Sequence, residues 1–142
     1  MKWSQWGAIA CLAGCASVAQ WSPAQPCNNG VCKAVVSVSV TGATCAVTGV
    51  VPDPLPVSGG ANNIEWEFDS SVSNDVRFTD QGIVIAEPGS QFSQPALQAG
   101  GRKFKWRDKN DPSPATPFKY TISARNGSTS CTPLDPTIIN QG

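Results

Sequence analysis

The chain has 142 residues, with ten Lys and Arg against ten Asp and Glu and a charged fraction of only 14%. That length holds one domain of ordinary size, and so sparse and balanced a charge excludes a long-range field favouring nucleic acid or an acidic surface. With no histidine anywhere, hydrolases of the Ser-His-Asp or Cys-His type are excluded, as are copper and zinc centres that need imidazole.

Lys2 precedes a mostly apolar run over residues 3–12, interrupted by Ser4 and Gln5. A bilayer-spanning helix takes about 20 apolar residues, so a shorter run that ends in small residues predicts a cleaved export leader. Leu12-Ala13-Gly14-Cys15 resembles the bacterial lipobox, whose cysteine receives a diacylglyceryl group before cleavage on its amino side. The resemblance implies a lipoprotein signal peptide over 1–14, a lipid on Cys15, and a lipid anchor with flexible tether over 15–26. A single acyl chain binds a membrane only marginally, whereas a mature lipoprotein carries more than one and stays attached. Ala16, directly after the anchor, resembles the pattern of proteins destined for the outer membrane, facing periplasm or cell surface. The alternative is a plain secretory leader cut after Ala19, with Ser17 and Ala19 as the small side chains, which yields a soluble periplasmic or secreted protein. The tether is small, polar and twice interrupted by proline, and Trp21 within it suits the lipid headgroup region.

Of six cysteines, Cys11 leaves with the leader and Cys15 takes the lipid. Cys27, Cys32, Cys45 and Cys131 form an even remainder, which in an oxidising compartment favours two disulfides. Three connectivities are possible. The turn-rich Asn28-Asn29-Gly30-Val31 suits a small loop closed by Cys27 and Cys32, which leaves Cys45 for Cys131. A four-thiolate zinc site is the competing reading, disfavoured because paired Cys-x-x-Cys knuckles are lacking.

From Cys27 onwards apolar residues recur with a period of two, the spacing that places them on one face of a strand. Val36, Val38 and Val40 alternate with Ser37, Ser39 and Thr41, and a Gly42-Ala43 turn leads into a second strand over residues 44–51. Prolines at 52, 54 and 56 then break the ladder, since proline cannot donate to it. Ile64, Trp66 and Phe68 alternate with Glu65, Glu67 and Asp69. Short strands are expected over residues 76–79 and 83–86. Phe104 and Trp106 alternate with Lys103, Lys105 and Arg107, and Phe118, Tyr120, Ile122 and Ala124 with Lys119, Thr121, Ser123 and Arg125. Residues 134–140 suit a closing strand. No window shows an amphipathic helical stripe, and twelve prolines with thirteen glycines punctuate the chain. The pattern predicts an all-β fold over 27–142: a single Greek-key-type β-sandwich of about 7–9 short strands, stapled by disulfides.

Charge is segregated along the chain. Seven acidic residues and one basic, Arg77, lie between Asp53 and Glu87; seven basic and two acidic, Asp108 and Asp111, lie between Arg102 and Arg125. If the Trp66 and Trp106 strands are neighbours, opposite charges face each other across them, each pair contributing roughly 0.2–1 kcal/mol. Glu65, Glu67 and Asp69 on one face are a solvated surface rather than a glycosidase-type acid/base pair. Lys103, Lys105, Arg107 and Lys109 form the candidate interaction stripe for an acidic partner, provided the acidic strand does not already match it. Nucleic acid is disfavoured, because the alternation turns the aromatics away from the cations and so defeats base stacking. Trp66 and Trp106 are read as core, and a carbohydrate platform would need both rings exposed.

Phe118-Lys119-Tyr120-Thr121-Ile122 followed by Leu134-Asp135-Pro136-Thr137-Ile138-Ile139 resembles the last two strands of a cupredoxin-like sandwich. Ile64-x-Trp66-x-Phe68, Gly82-Ile83-Val84-Ile85 and Phe104-x-Trp106-x-Asp108-Lys109-Asn110 resemble small domains of exported proteobacterial proteins. The copper site of cupredoxins needs histidines that the chain lacks, so no metal or other cofactor is expected; an immunoglobulin-like sandwich fits the same pattern. The function expected is non-enzymatic: an envelope-anchored binding module, held to the membrane by its N-terminal lipid and presenting loops to an envelope or exported protein. The alternative is a structural or adhesive surface component that contacts its own copies or glycan.

Overall fold

Alternating β-branched and polar residues favour extended chain, because every second side chain then falls on the same face of a pleated surface. The structure, a computed structural model, describes residues 26–111 and 114–142. Its strands are β1 (Cys27–Asn28), β2 (Val31–Thr41), β3 (Thr44–Val51), β4 (Leu55–Val57), β5 (Asn62–Phe68), β6 (Val76–Ile85), β7 (Phe92–Gln98), β8 (Lys103–Asp108), β9 (Thr116–Asn126), β10 (Thr129–Ser130) and β11 (Thr137–Asn140). A 3-10 turn over Ala99–Gly101 separates β7 from β8, and no α-helix occurs among the described residues. Residues 1–25, with the lipobox, Cys15 and nearly all of the tether, lie outside the described residues.

The strands form a β-sandwich. One sheet runs β1-β2-β5-β8-β7 with β3 also on β2; the other runs β10-β9-β11-β4 with β6 also on β9. Both sheets are mixed, since β2 lies parallel to β5 and β4 parallel to β11 while the other pairings are antiparallel. This departs from the constant-type immunoglobulin arrangement of two antiparallel sheets. The inner faces close on one core in which Trp66, Tyr120, Phe78, Phe104, Ile64 and Ile122 are fully buried. In β5 the alternation is strict: Asn62, Ile64, Trp66 and Phe68 point inward while Asn63, Glu65 and Glu67 stay half exposed.

Four elements differ from the sequence reading. The proline segment interrupts pairing only over residues 52–54, where the Val51–Pro52 and Asp53–Pro54 peptides are cis, and strand β4 resumes at Leu55 with Pro56 inside it. Pro56 is tolerated because β4 is the last strand of its sheet, where a missing donor breaks no ladder. Residues 76–85 form one strand with an irregular register between Phe78 and Ile83. At that irregularity a Cβ on Gly82 would lie 2.6 Å from the Phe78 Cβ and 3.2 Å from the Phe104 ring, so only glycine lets the backbone approach. Strand β7 was not expected, because Phe92-Ser-Gln-Pro-Ala-Leu-Gln98 lacks clean alternation; it pairs with β8 as an edge strand, with its own irregularity between Ser93 and Ala96. The expected closing strand over residues 134–140 shortens to β11, with Leu134 making an isolated bridge to Ile122.

The four described cysteines pair as Cys27–Cys32 and Cys45–Cys131. The first closes the β1–β2 hairpin between directly opposed residues. The second joins β3 to the segment after β10, where Ala46 and Thr132 also bridge, and so ties one sheet to the other. Sequence separations of 86 and 5 give loop-closure contributions of about 4–5 kcal/mol for Cys45–Cys131 and about 2 kcal/mol for Cys27–Cys32. Urea denaturation of the Cys45→Ser/Cys131→Ser protein is therefore expected to show a loss of unfolding free energy about twice that of Cys27→Ser/Cys32→Ser. Equal losses would contradict the loop-length account.

Candidate functional site

The expected meeting of acidic and basic strands occurs, with a consequence for the candidate stripe. In β5 and β8, Glu65 stands opposite Lys105 and Glu67 opposite Lys103. Lys33 of β2 flanks Glu65 from the other side. Lys103 and Glu67 close to an ion pair at 3.5 Å between half-exposed groups, worth at most about 1 kcal/mol. Arg107 faces Asn63 and Ser93 in register, because the antiparallel pairing that sets Glu65 and Glu67 against Lys105 and Lys103 brings residue 63 opposite it, while Asp69 lies beyond the end of β5. The Asp69 carboxylate instead accepts from the Ser71 hydroxyl at 2.6 Å and the Ser71 amide at 2.9 Å, which hold its pKa below the ordinary carboxylate value. Lys109 lies beyond β8 and pairs with Asp111 at 3.0 Å. The four cations thus do not make one open stripe: two are ion-paired, and a third, Lys105, stands opposite Glu65.

Trp66 is core, as expected, whereas Trp106 is half-buried. The difference comes from its place in the sheet. Trp66 sits on central β5, but Trp106 lies where β8 looks out past the irregular stretches of β6 and β7. Its indole N–H donates to the Ile83 carbonyl at 2.9 Å, so the ring bridges the two sheets. Beside it opens a recess of about 270 Å³, walled by Trp106, Phe104, Ile83, Val84 and Pro95, with Asp80 and Gln81 at its polar side. Val84 is 44% exposed there. Neither Glu65 nor Glu67 lines the recess, and Asp80 is its one ionisable group.

At one end of the sandwich the inner faces carry polar residues that the sequence reading missed. Asn62, Asp108, Asn110 and Asn140 are all buried. Asp108 Oδ1 accepts from the Asn110 amide N–H at 2.9 Å and from Asn140 Nδ2 at 3.0 Å. Asn110 Nδ2 and Asn62 Nδ2 both donate to the Gly60 carbonyl, and Asn110 Oδ1 accepts from the Gly142 amide. The network fastens the ends of β5, β8 and β11 and the residue Gly142 to one another. A signal was available: Asp108 continues the inward phase of Phe104 and Trp106, Asn62 precedes that of Ile64, and Asn140 follows Ile138.

Burial raises Asp108 to a pKa of about 6, against opposing help from its bonds to Asn110 and Asn140 and from the charge of Arg107. Its Oδ2 and the Oδ1 of Asn140 have no hydrogen-bond partner, so the negative charge of Asp108 is only partly compensated. Among the described residues no group of three His, Cys, Asp or Glu is placed to hold a metal ion. No helix among them is long and apolar enough to cross a membrane. Compared with known proteins, the chain matches no family model and no curated protein.

The raised pKa of Asp108 fixes a pH dependence. Because the native state holds this proton more tightly than the unfolded chain, its stabilisation is complete below the ordinary aspartate pKa and is lost as pH rises through about 6. Asp108→Asn, which is neutral at every pH, is expected to remove that slope from chemical denaturation midpoints measured between pH 4 and 7.5 and to exceed the parent in stability at pH 7.5. An unchanged slope would place the titration elsewhere.

Proposed function

We propose that the chain is a non-enzymatic binding module of the bacterial envelope, anchored through a lipid on Cys15, and that it meets a protein partner at the Trp106 recess. The observation that carries this reading is a large aromatic side chain left only partly buried beside an apolar hollow while the equivalent ring, Trp66, is fully buried. Aromatic side chains in such hollows are the anchors of protein interfaces, surrounded by groups that exclude water. The recess lies between β6 and β7, each paired on one side only, so backbone groups for an incoming extended segment are at hand. Catalysis draws no support from it, because a reaction site calls for convergent polar groups and the lining has one carboxylate.

Two measurements test the two halves of the proposal. Palmitate labelling that disappears in Cys15→Ser supports the anchor, whereas a mature protein beginning at Gln20 overturns it. For the recess, the native lipidated protein is used as bait in envelope extract beside Val84→Glu, which places a charge in the hollow at an exposed position. A partner recovered by the parent and reduced at least tenfold by Val84→Glu is expected; equal recovery by both removes the recess from the interface.

A further inference from the structure

At the end of β9 remote from Asp108, three arginines crowd together. Arg77 of β6 and Arg125 of β9 are direct register partners, an arrangement of like charges that weakens strand pairing. Arg102 stands beside Arg77: both donate through Nη1 to the Val76 carbonyl, at 2.7 Å from Arg102 and 2.9 Å from Arg77. Arg77 also donates to the Asn74 carbonyl. Arg102 donates to the Ser73 carbonyl at 2.9 Å and lies 4.9 Å over the Phe68 ring. The Arg77 stem is clamped by Gly101, where a Cβ would fall 2.9 Å from the Arg77 Cδ and where φ is +88°. The guanidinium of Arg77 is thus held in place by backbone contacts rather than by a carboxylate.

The two ion pairs among the described residues involve none of these arginines. Over Arg77 and Arg125 opens a shallow cavity of about 570 Å³, whose remaining wall is Asp75 and the turn Asn126, Gly127 and Ser128. Its lining therefore sets two guanidiniums against one carboxylate, and Asp75 makes no ion pair within 4 Å with either. A sequence that keeps like charges in register, where neutral strand-formers would pair better, places a local rule in conflict with stability; such conflicts occur at binding sites.

We propose that this cavity binds a phosphate dianion, inorganic or as a monoester, across Arg77 and Arg125. A tetrahedral dianion offers acceptor oxygens to two guanidinium forks at once and neutralises both, whereas one carboxylate matches a single fork. Ser128 stands in the same wall, and Arg102, which shares the Val76 carbonyl with Arg77, adds to the positive field. The site is separate from the Trp106 recess, so it stands or falls independently of that surface.

The test uses the full chain with Cys15→Ser, so that no lipid confounds it, in phosphate-free buffer at fixed ionic strength. Inorganic phosphate is expected to raise the thermal midpoint, by several degrees at tenfold its Kd and further with the logarithm of its concentration. Arg125→Thr, which removes an exposed side chain, is expected to lose that response and to melt roughly 1–4 °C above its parent without phosphate, because the like-charge pair is gone. Arg77→Gln serves as a second variant, read by loss of the phosphate response whatever its own midpoint. Vesicles of phosphatidic acid and of phosphatidylcholine separate the sources. Retention on the former alone, competed by phosphate, assigns a lipid headgroup; a phosphate response without retention assigns a soluble phosphate. No rise beyond that of chloride at equal ionic strength, or an equal response in Arg125→Thr, overturns the proposal.

Discussion

The contact between Trp66 and Tyr120 holds the two sheets to their spacing. Trp66 occupies the middle of β5, the strand flanked by β2 and β8, and Tyr120 the middle of β9 in the opposite sheet; their rings lie 5.5 Å apart and both are almost wholly buried. Neither the Trp66 Nε1 nor the Tyr120 hydroxyl finds a hydrogen-bond partner of good geometry, a condition that costs about 1–3 kcal/mol for each buried group. Burial also pushes the Tyr120 phenol well above its ordinary pKa, with the Trp66 indole opposing and Asp53 reinforcing the shift. The rings are retained because they fill the space between sheets: emptying the site of an aromatic side chain typically costs about 3–5 kcal/mol. Around this contact Phe68 stacks on Phe78 at 4.1 Å, and Phe104 meets Phe78 edge-on at 6.3 Å. The β6 backbone can lie against these rings only because residue 82 is glycine.

Period-two alternation made this core readable from sequence, since it assigns Ile64, Trp66, Phe68, Phe104, Tyr120 and Ile122 to inner faces without knowledge of which strands are neighbours. It also made the β5–β8 charge match foreseeable, because composition alone placed acids on one strand and bases on another. The elements that escaped were those in which the alternation is broken for a local reason. β4 and β7 both contain a proline and both are sheet edges, where pairing on a single side suffices and the usual sequence cues weaken. Asp69 was assigned to a strand face because its spacing is right, but its short carboxylate prefers the turn it forms with Ser71.

The edges explain why the candidate surface lies where it does. A sandwich has unpaired strands on its flanks, and exposed flat edges invite indiscriminate pairing. Here β6 and β7 both depart from regular register, Gln94 takes a left-handed φ of 57°, and Pro95 removes a donor. These devices twist the two edges away from flatness, and the gap between them is where Trp106 reaches across to Ile83. Protection against unwanted pairing and creation of a hollow are therefore one structural event. The position of the recess could not be read from the sequence, because it depends on two irregularities in strands of different sheets.

Charge shows the same division between what is local and what is not. On the outer face of the six-stranded sheet, the acids of β5 lie between Lys33 of β2 and the bases of β8, so attraction across each ladder reinforces the register that the apolar face demands. On the other sheet, β6 brings Arg77 against Arg125 and the 3-10 turn delivers Arg102 to the same carbonyl, so the charges accumulate instead of cancelling. Arg77 and Arg125 are far apart in sequence, and each looks like an ordinary outward-facing residue on its own strand. Only the antiparallel pairing of β6 with β9 makes them neighbours. The balanced total charge thus conceals one sheet whose outer face is internally compensated and another that carries an excess of cations at one end, and an excess of that kind is neutralised by what binds there rather than by the fold.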